Sequence, residues 1–243
     1  YVKILADLNN AELLAPSRAS RTGNAKITRV SKEAAIALKT RVYLNMRDWN
    51  KVISEGVKLG TYSIEPNPAT PFEFGYNNKE SIFSIENSAT TNPGVNAALA
   101  SMYNGRALIT ISPIIWRNAR WNVDDKRRTE GAMVRKTPAG VVLTNKYKDV
   151  TNLTDASPLI RYAEVVLSMA EANARLGSAA NITTAINQLN LVRNRSLANV
   201  ATQQYTASSF ANQTELVDAI VTERRIEFLA EGMRWSDIHR LLY

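Results

Sequence analysis

Residues 222–241, TERRIEFLAEGMRWSDIHRL, gather four arginines, four carboxylates, the only histidine and a tryptophan into twenty positions. Side chains of these types perform acid–base and nucleophilic chemistry, so each such reaction can be tested against the spacing. A Ser/His/Asp triad would have to use His239, four residues after Trp235 and seven after Gly232, at the far end of the sequence, and no partner is spaced for it. With one histidine, no cysteine and no HExxH pattern, a zinc site has no ligand set. Neither GxGxxG nor GxxxxGK[ST] occurs, so no phosphate cradle is encoded. Carboxylate pairs exist in Glu164 with Glu171 and Asp124 with Asp125. One lies on an alanine-rich helix and the other in a basic loop, where surface or capping roles are the ordinary reading. A glycosidase pair is not recognisable from spacing, because its two carboxylates meet only in the fold. Catalytic residues, cofactors and metals are therefore all assigned as none.

What the closing stretch does encode is charge balance: Arg224, Arg225, Arg234 and Arg240 stand against Glu223, Glu227, Glu231 and Asp237. On one helix, Arg224 and Glu227 at i,i+3 and Glu227 and Glu231 at i,i+4 share a face and can reach arginines of a neighbouring turn or helix. The spacing predicts a paired, part-buried structural network of Arg224, Glu227 and Glu231. Gly232 would bend the chain so that Trp235 packs back on Phe228 or Leu229.

The elements that must position these residues are mostly helical. Ile4, Leu5, Leu8 and Leu13 predict a helix over 1–14, followed by a polar loop over 15–30. Ser31 is a plausible N-cap for a helix whose apolar positions are 35, 38, 42, 43 and 46. After a turn at Arg47-Asp48, Trp49 opens a second helix, a hairpin of tetratricopeptide type in which Trp49 packs between helices. A second hairpin places Ala163, Val166, Leu167, Ala170 and Ala174 on one face, stops at Gly177, and continues with Ile182, Ile186, Leu189 and Val192. A last helical run spans about Thr214 to Glu231. Residues 61–158 behave differently: four prolines fall between 65 and 94, with one strand-like stretch, Ser81 to Glu86. The predicted class is mainly α, tetratricopeptide-like hairpins in an α-α superhelix, with an irregular loop-rich half carrying a few short strands. The chain reads as one domain over 1–243, with helical scaffold at 1–60 and 159–243 and the loop-rich subregion at 61–158.

Composition limits the function classes. The 243 residues, 45% apolar, suffice for a proper core. Apolar runs are too short to span a bilayer as a helix, and no n-region with an h-region opens the sequence. The net charge of +8 resolves into +6 over 1–60, −3 over 61–100, +6 over 101–150 and −1 over 151–243. No helix-turn-helix, zinc finger or RNA-binding strand pair collects the basic blocks, which argues against a nucleic-acid partner. The sequence begins at Tyr1 without methionine and ends in a helical pattern, which reads as a fragment or processed form.

Four stretches together resemble one family. SPLIRYAEVVLSMAEANARLG (157–177) and ERRIEFLAEGMRWSDIHRL (223–241) are similar to signatures of the SusD/RagB-like outer-membrane glycan-binding lipoproteins, and SKEAAIALKTRVYLNMRDWNKVISEGVKLGTYSI (31–64) and NNKESIFSIENSA (77–89) match the same family in the right order. Met233 departs from the pattern at a position where the family often has histidine, and the usual lipidated N-terminal cysteine and about half the usual length are absent. The resemblance implies a non-catalytic surface lipoprotein of the outer membrane. Such a protein captures oligosaccharides and passes them to a TonB-dependent β-barrel transporter, with loops outside the repeats holding the sugar.

Sugar recognition needs aromatic faces with polar neighbours. Millimolar affinity takes about 4 kcal/mol, and one stack on a nucleobase contributes about 1–3 kcal/mol, so two or three aromatics are required. Outside the helices these concentrate between Tyr103 and Trp121. The expected platforms are Trp116 and Trp121, with Tyr103, Arg117, Asn118 and Arg120 as neighbours. The competing reading for each tryptophan is a plug that fixes the irregular half to the helices. Rival functions are a tetratricopeptide-like protein-interaction scaffold and a glycan-active enzyme.

Overall fold

The computed structural model describes residues 1–73 and 78–242. Asn77, the first residue of the NNKES stretch, and Tyr243 lie outside the described residues. Helix α1 (Val2–Leu14) is followed by a 3-10 turn at Arg18–Ser20 and a short α2 (Ala25–Thr28), so the expected 15–30 loop carries local helical structure. The first hairpin is α3 (Lys32–Met46) and α4 (Trp49–Gly56). Its turn is specified locally. The Ser31 hydroxyl accepts the Ala34 N–H at 3.2 Å, Arg47 takes a left-handed conformation at φ 60°, and Asp48 caps α4 by accepting the Lys51 N–H at 3.2 Å.

Between the hairpins run α5 (Thr70–Glu73), β1 (Ser81–Ile85), α6 (Pro113–Trp116), β2 (Val134–Lys136), β3 (Val142–Thr144) and β4 (Ser157–Arg161). Strands β1 and β4 pair antiparallel, with Ser81 opposite Arg161 and Ile85 opposite Ser157 and an irregularity between them. Strands β2 and β3 form a separate hairpin with Val134 opposite Thr144. Only β1 is evident from sequence, because three-residue strands are too short for alternation to register, and SPLIR runs without a break into the next helix.

That helix, α7 (Tyr162–Leu176), pairs with α8 (Ala179–Arg193), and the chain finishes with α9 (Val200–Gln203), α10 (Gln213–Glu227) and α11 (Met233–Leu242). Twelve of the fifteen α7 residues are buried, which makes it the central helix rather than an amphipathic surface one. One side packs Ala163, Leu167 and Ala170 against Leu189 of α8 and Ile220 of α10. The other packs Val165, Met169 and Ala172 against Ala37 and Leu44 of α3, Val52 of α4 and Ile82 of β1. Alanines let the helices approach on both sides. Gly177 ends α7 at φ 76°.

The final helical run is shorter than expected. Helix α10 stops at Glu227, and residues 228–232 form turns in which Ala230 and Gly232 have φ 63° and 77°. Two left-handed residues so close together end the helical hydrogen bonding four residues early.

Candidate functional site

The closing charged stretch is a pair of buried ion networks. Glu227 accepts from Arg195 at 2.6 Å and from Arg161 and Arg127 at 3.0 Å each, while Glu231 receives Lys146 at 2.7 Å and Arg161 at 2.8 Å. Arg127 also binds Glu223 at 2.6 Å and Asp125 at 2.8 Å, and Glu80 joins Arg161 and Arg195. Burial opposes ionisation of Glu227, but Arg195, Arg161 and Arg127 hold it far below the usual carboxylate range. At Glu223 burial prevails over Arg127 and raises the carboxyl. Arg224 sits in the second network, pairing with Asp237 at 3.3 Å and donating to Ser168 Oγ at 3.1 Å. There Arg240 binds Glu171 at 2.7 Å and Asp237 at 2.7 Å. Arg224 and Glu227 therefore do not partner each other. Each turns to residues distant in sequence, because the helix face they share is covered by other elements.

A broad open cleft of about 1640 Å³ opens between the loops of residues 110–142 and residues 193–215. One wall is the 110–124 segment, positioned by α6, whose first residue is Pro113 and whose N-cap Ser112 accepts the Ile114 N–H at 3.3 Å. The tip of the β2–β3 hairpin, Ala139–Val142, forms a second wall, and the segment 202–209, which begins in the last two residues of α9, forms a third with Glu215 of α10.

Trp116, Arg117, Asn118 and Arg120 line this cleft together, as does the unpredicted Arg128. Trp116 is half-buried, with the Arg128 guanidinium 3.9 Å from its ring centre. Arg120 is held by Glu215 and Asp218, both at 3.4 Å. Asn118 braces the loop by accepting the Arg120 N–H at 2.9 Å.

Three expected placements require correction. Trp121 reaches the cleft only as its floor: it is 2% exposed, edge-on to Trp116 at 5.2 Å, and packed with Ile111, Ile115, Val134 and Ile226. It is the plug that fixes the loops to α10, and its ring faces are not available as a platform. Tyr103 lies away from the cleft in a π-helical turn at Ser101–Gly105, 6.1 Å from the ring of Tyr147. Trp235 is 71% exposed and pairs with His239 at 4.4 Å instead of packing on Phe228 or Leu229. The face of α11 turned inward is the one bearing Asp237 and Arg240, and salt-bridge geometry leaves Trp235 outside. Trp49 does pack between helices, beside the α3–α4–α7 core and under Arg175 at 5.2 Å.

The aromatic that sequence reasoning missed is Tyr205, which lines the third wall, half-buried, with Arg193 4.3 Å from its ring and Phe210 at 5.0 Å. Its only signal is isolation in the polar stretch VATQQYTASS, 200–209. The cleft thus offers two aromatics with amides and guanidinium groups between them. Its two carboxylates among the described residues, Asp124 and Glu215, are engaged by the Gln203 amide and by Arg120.

A solved SusD superfamily protein from Bacteroides fragilis is similar over 99% of this chain and 54% of its own, with 31% identity and a TM-score of 0.84. The surface glycan-binding protein A from Bacteroides uniformis is similar over 100% of this chain and 57% of its own, with 22% identity and a TM-score of 0.74. A SusD-like protein of Formosa agariphila is 39% identical over 82 residues, 34% of this chain and 16% of that protein. The chain spans about half the length of the solved relatives it matches. The family model described as the SusD family matches residues 72–242, from α5 through β1–β4, the cleft loops and both ion networks to α11. With its tetratricopeptide-like helical fold, the chain belongs to the SusD family.

Proposed function

We propose that this chain is the ligand-binding part of a non-catalytic surface protein that captures oligosaccharides and delivers them to a TonB-dependent outer-membrane transporter. In this reading a lipid anchor holds the protein on the outer membrane. The helical pairs serve as scaffold, and the 61–158 segment carries the site together with residues 202–205 of the helical half. One observation supports it above the others: an open cleft shared by the loop-rich segment and residues 193–215 carries Trp116 and Tyr205 among amides and guanidinium groups. A pyranose ring fits such a surface, with its C–H face on an aromatic and its hydroxyls met by Asn118, Asn122 and Gln204. The family and the name of the glycan-binding relative from Bacteroides uniformis point the same way.

The test is a glycan array followed by titration calorimetry on the best binder. Trp116→Ala is expected to weaken binding by roughly 1–3 kcal/mol with little change in melting temperature. An unchanged titration for this variant and for Tyr205→Ala sinks the site assignment. Capture of a β-barrel transporter by the full-length protein from outer-membrane extracts tests delivery, and its absence from such a pull-down counts against that step.

A further inference from the structure

The cleft carries more positive charge than its own carboxylates neutralise. Four arginines line it, Arg117, Arg120, Arg128 and Arg193, against Asp124 and Glu215. Both carboxylates are already engaged. Glu215 takes Arg120 at 3.4 Å and the Ala211 N–H at 2.8 Å, and Asp124 accepts Gln203 Nε2 at 2.8 Å. Arg193 lies 4.0 Å from Glu223 and donates to the Gln203 carbonyl at 2.6 Å.

Arg117 and Arg128 are left over. Arg117 is exposed, and its side chain has no hydrogen bond or ion pair among the described residues. Arg128 is half-buried over Trp116, gives one N–H to the Trp121 carbonyl at 2.9 Å, and has no carboxylate in ion-pair range among the described residues. Burial lowers its pKa and outweighs Asp125, which acts on it only from beyond ion-pair range. The buried arginines of the joint differ, since Arg127, Arg161, Arg195 and Arg240 each have a carboxylate. A neutral sugar can accept hydrogen bonds from these two guanidinium groups but compensates neither charge. A carboxylate or sulfate does both, and the planar fork of arginine matches either group.

We propose that the cleft selects oligosaccharides bearing acidic substituents, with Arg117 and Arg128 meeting the anion and Trp116 carrying an adjacent sugar ring. The inference rests on the reading of the cleft as a saccharide site. The two sources of such an anion, a uronic carboxylate and a sulfate ester, share this chemistry.

The test is an array of uronate- and sulfate-bearing oligosaccharides, each beside its carboxyl-reduced or desulfated counterpart, probed at low and high salt. Acidic members are expected to bind about ten-fold more tightly than their counterparts, and the advantage should shrink as salt screens it. Arg117→Ala should remove most of that advantage at an unchanged melting temperature, with a smaller loss for the neutral counterparts, and Arg128→Gln should act in the same direction. Preference confined to the carboxylate pairs assigns uronates, and preference confined to the sulfate pairs assigns sulfate esters. Equal binding of acidic and neutral members overturns the selectivity and leaves oligosaccharide capture standing. No binding to any member, neutral or acidic, overturns both.

Discussion

At the scale of single residues, two glutamates four positions apart sit in one buried network and have pKa values shifted in opposite directions. Glu227 is kept ionised by three arginines, whereas burial raises the carboxyl of Glu223. Removing the charge of Glu227 takes one carboxylate from three buried arginines at once, leaving Arg161 with Glu80 and Glu231, Arg195 with Glu80, and Arg127 with Asp125 and Glu223; breaking a buried pair from one side costs about 3–5 kcal/mol. Glu227→Gln should therefore lower unfolding free energy by roughly that amount. Glu223→Gln should cost clearly less, because Arg127 keeps Asp125 and Glu227. Chemical denaturation of the two variants side by side checks this, and equal losses would contradict the assigned signs. The two tryptophans divide in the same manner. Trp121→Ala empties a core position and should cost about 3–5 kcal/mol of stability, whereas Trp116→Ala is expected to act on the proposed saccharide binding.

At the scale of elements, α11 is held by charge more than by apolar burial. Its buried residues are Asp237 and Arg240, which reach Arg224 of α10 and Glu171 of α7, while Trp235 and Leu242 face outward. Arg240→Ala should loosen this helix from α7, leaving Glu171 with the Arg175 ion pair and the more distant Arg224. The expected readout is faster hydrogen exchange across α11 and lower melting temperature, with saccharide affinity per folded molecule unchanged. The α7–α8 turn has a backbone requirement of a different kind. Gly177 stands at φ 76°, and an added Cβ would lie 2.7 Å from the Gln213 side chain. Gly177→Ala is thus expected to cost about 1 kcal/mol, read as a shifted denaturation midpoint with an unchanged slope.

At the scale of the whole molecule, the two networks join loops to helices and set the response to acid. Burial would raise Glu227, Glu171 and Asp237, but neighbouring arginines hold all three below the ordinary values of 4.5 for glutamate and 3.8 for aspartate. Groups depressed on folding stabilise the protein above their unfolded pKa, and that contribution disappears as pH falls through the folded value. Glu223, raised on folding, has the opposite sign and offsets only part of this. Melting temperature should be flat down to about pH 5 and fall below roughly pH 4; a rise on acidification would refute the assignment. The sequence by itself determined the helical pairs, their turns at Arg47-Asp48 and Gly177, strand β1 and the family, because caps, left-handed turn residues and apolar periodicity act over a few neighbouring positions. It also showed that the charges of 222–241 balance. Which carboxylate meets which arginine was decided only by tertiary structure, since Glu80, Arg127, Arg161, Arg195 and Glu227 come from five separate segments. The same holds for the cleft. Trp116 and Trp121 are five residues apart and equivalent in composition, yet packing against Ile226 buries one and leaves the other at the cleft wall beside Arg128, with Tyr205 brought in from beyond α9. Exposure of a side chain depends on what the rest of the chain lays over it, and no local pattern encodes that.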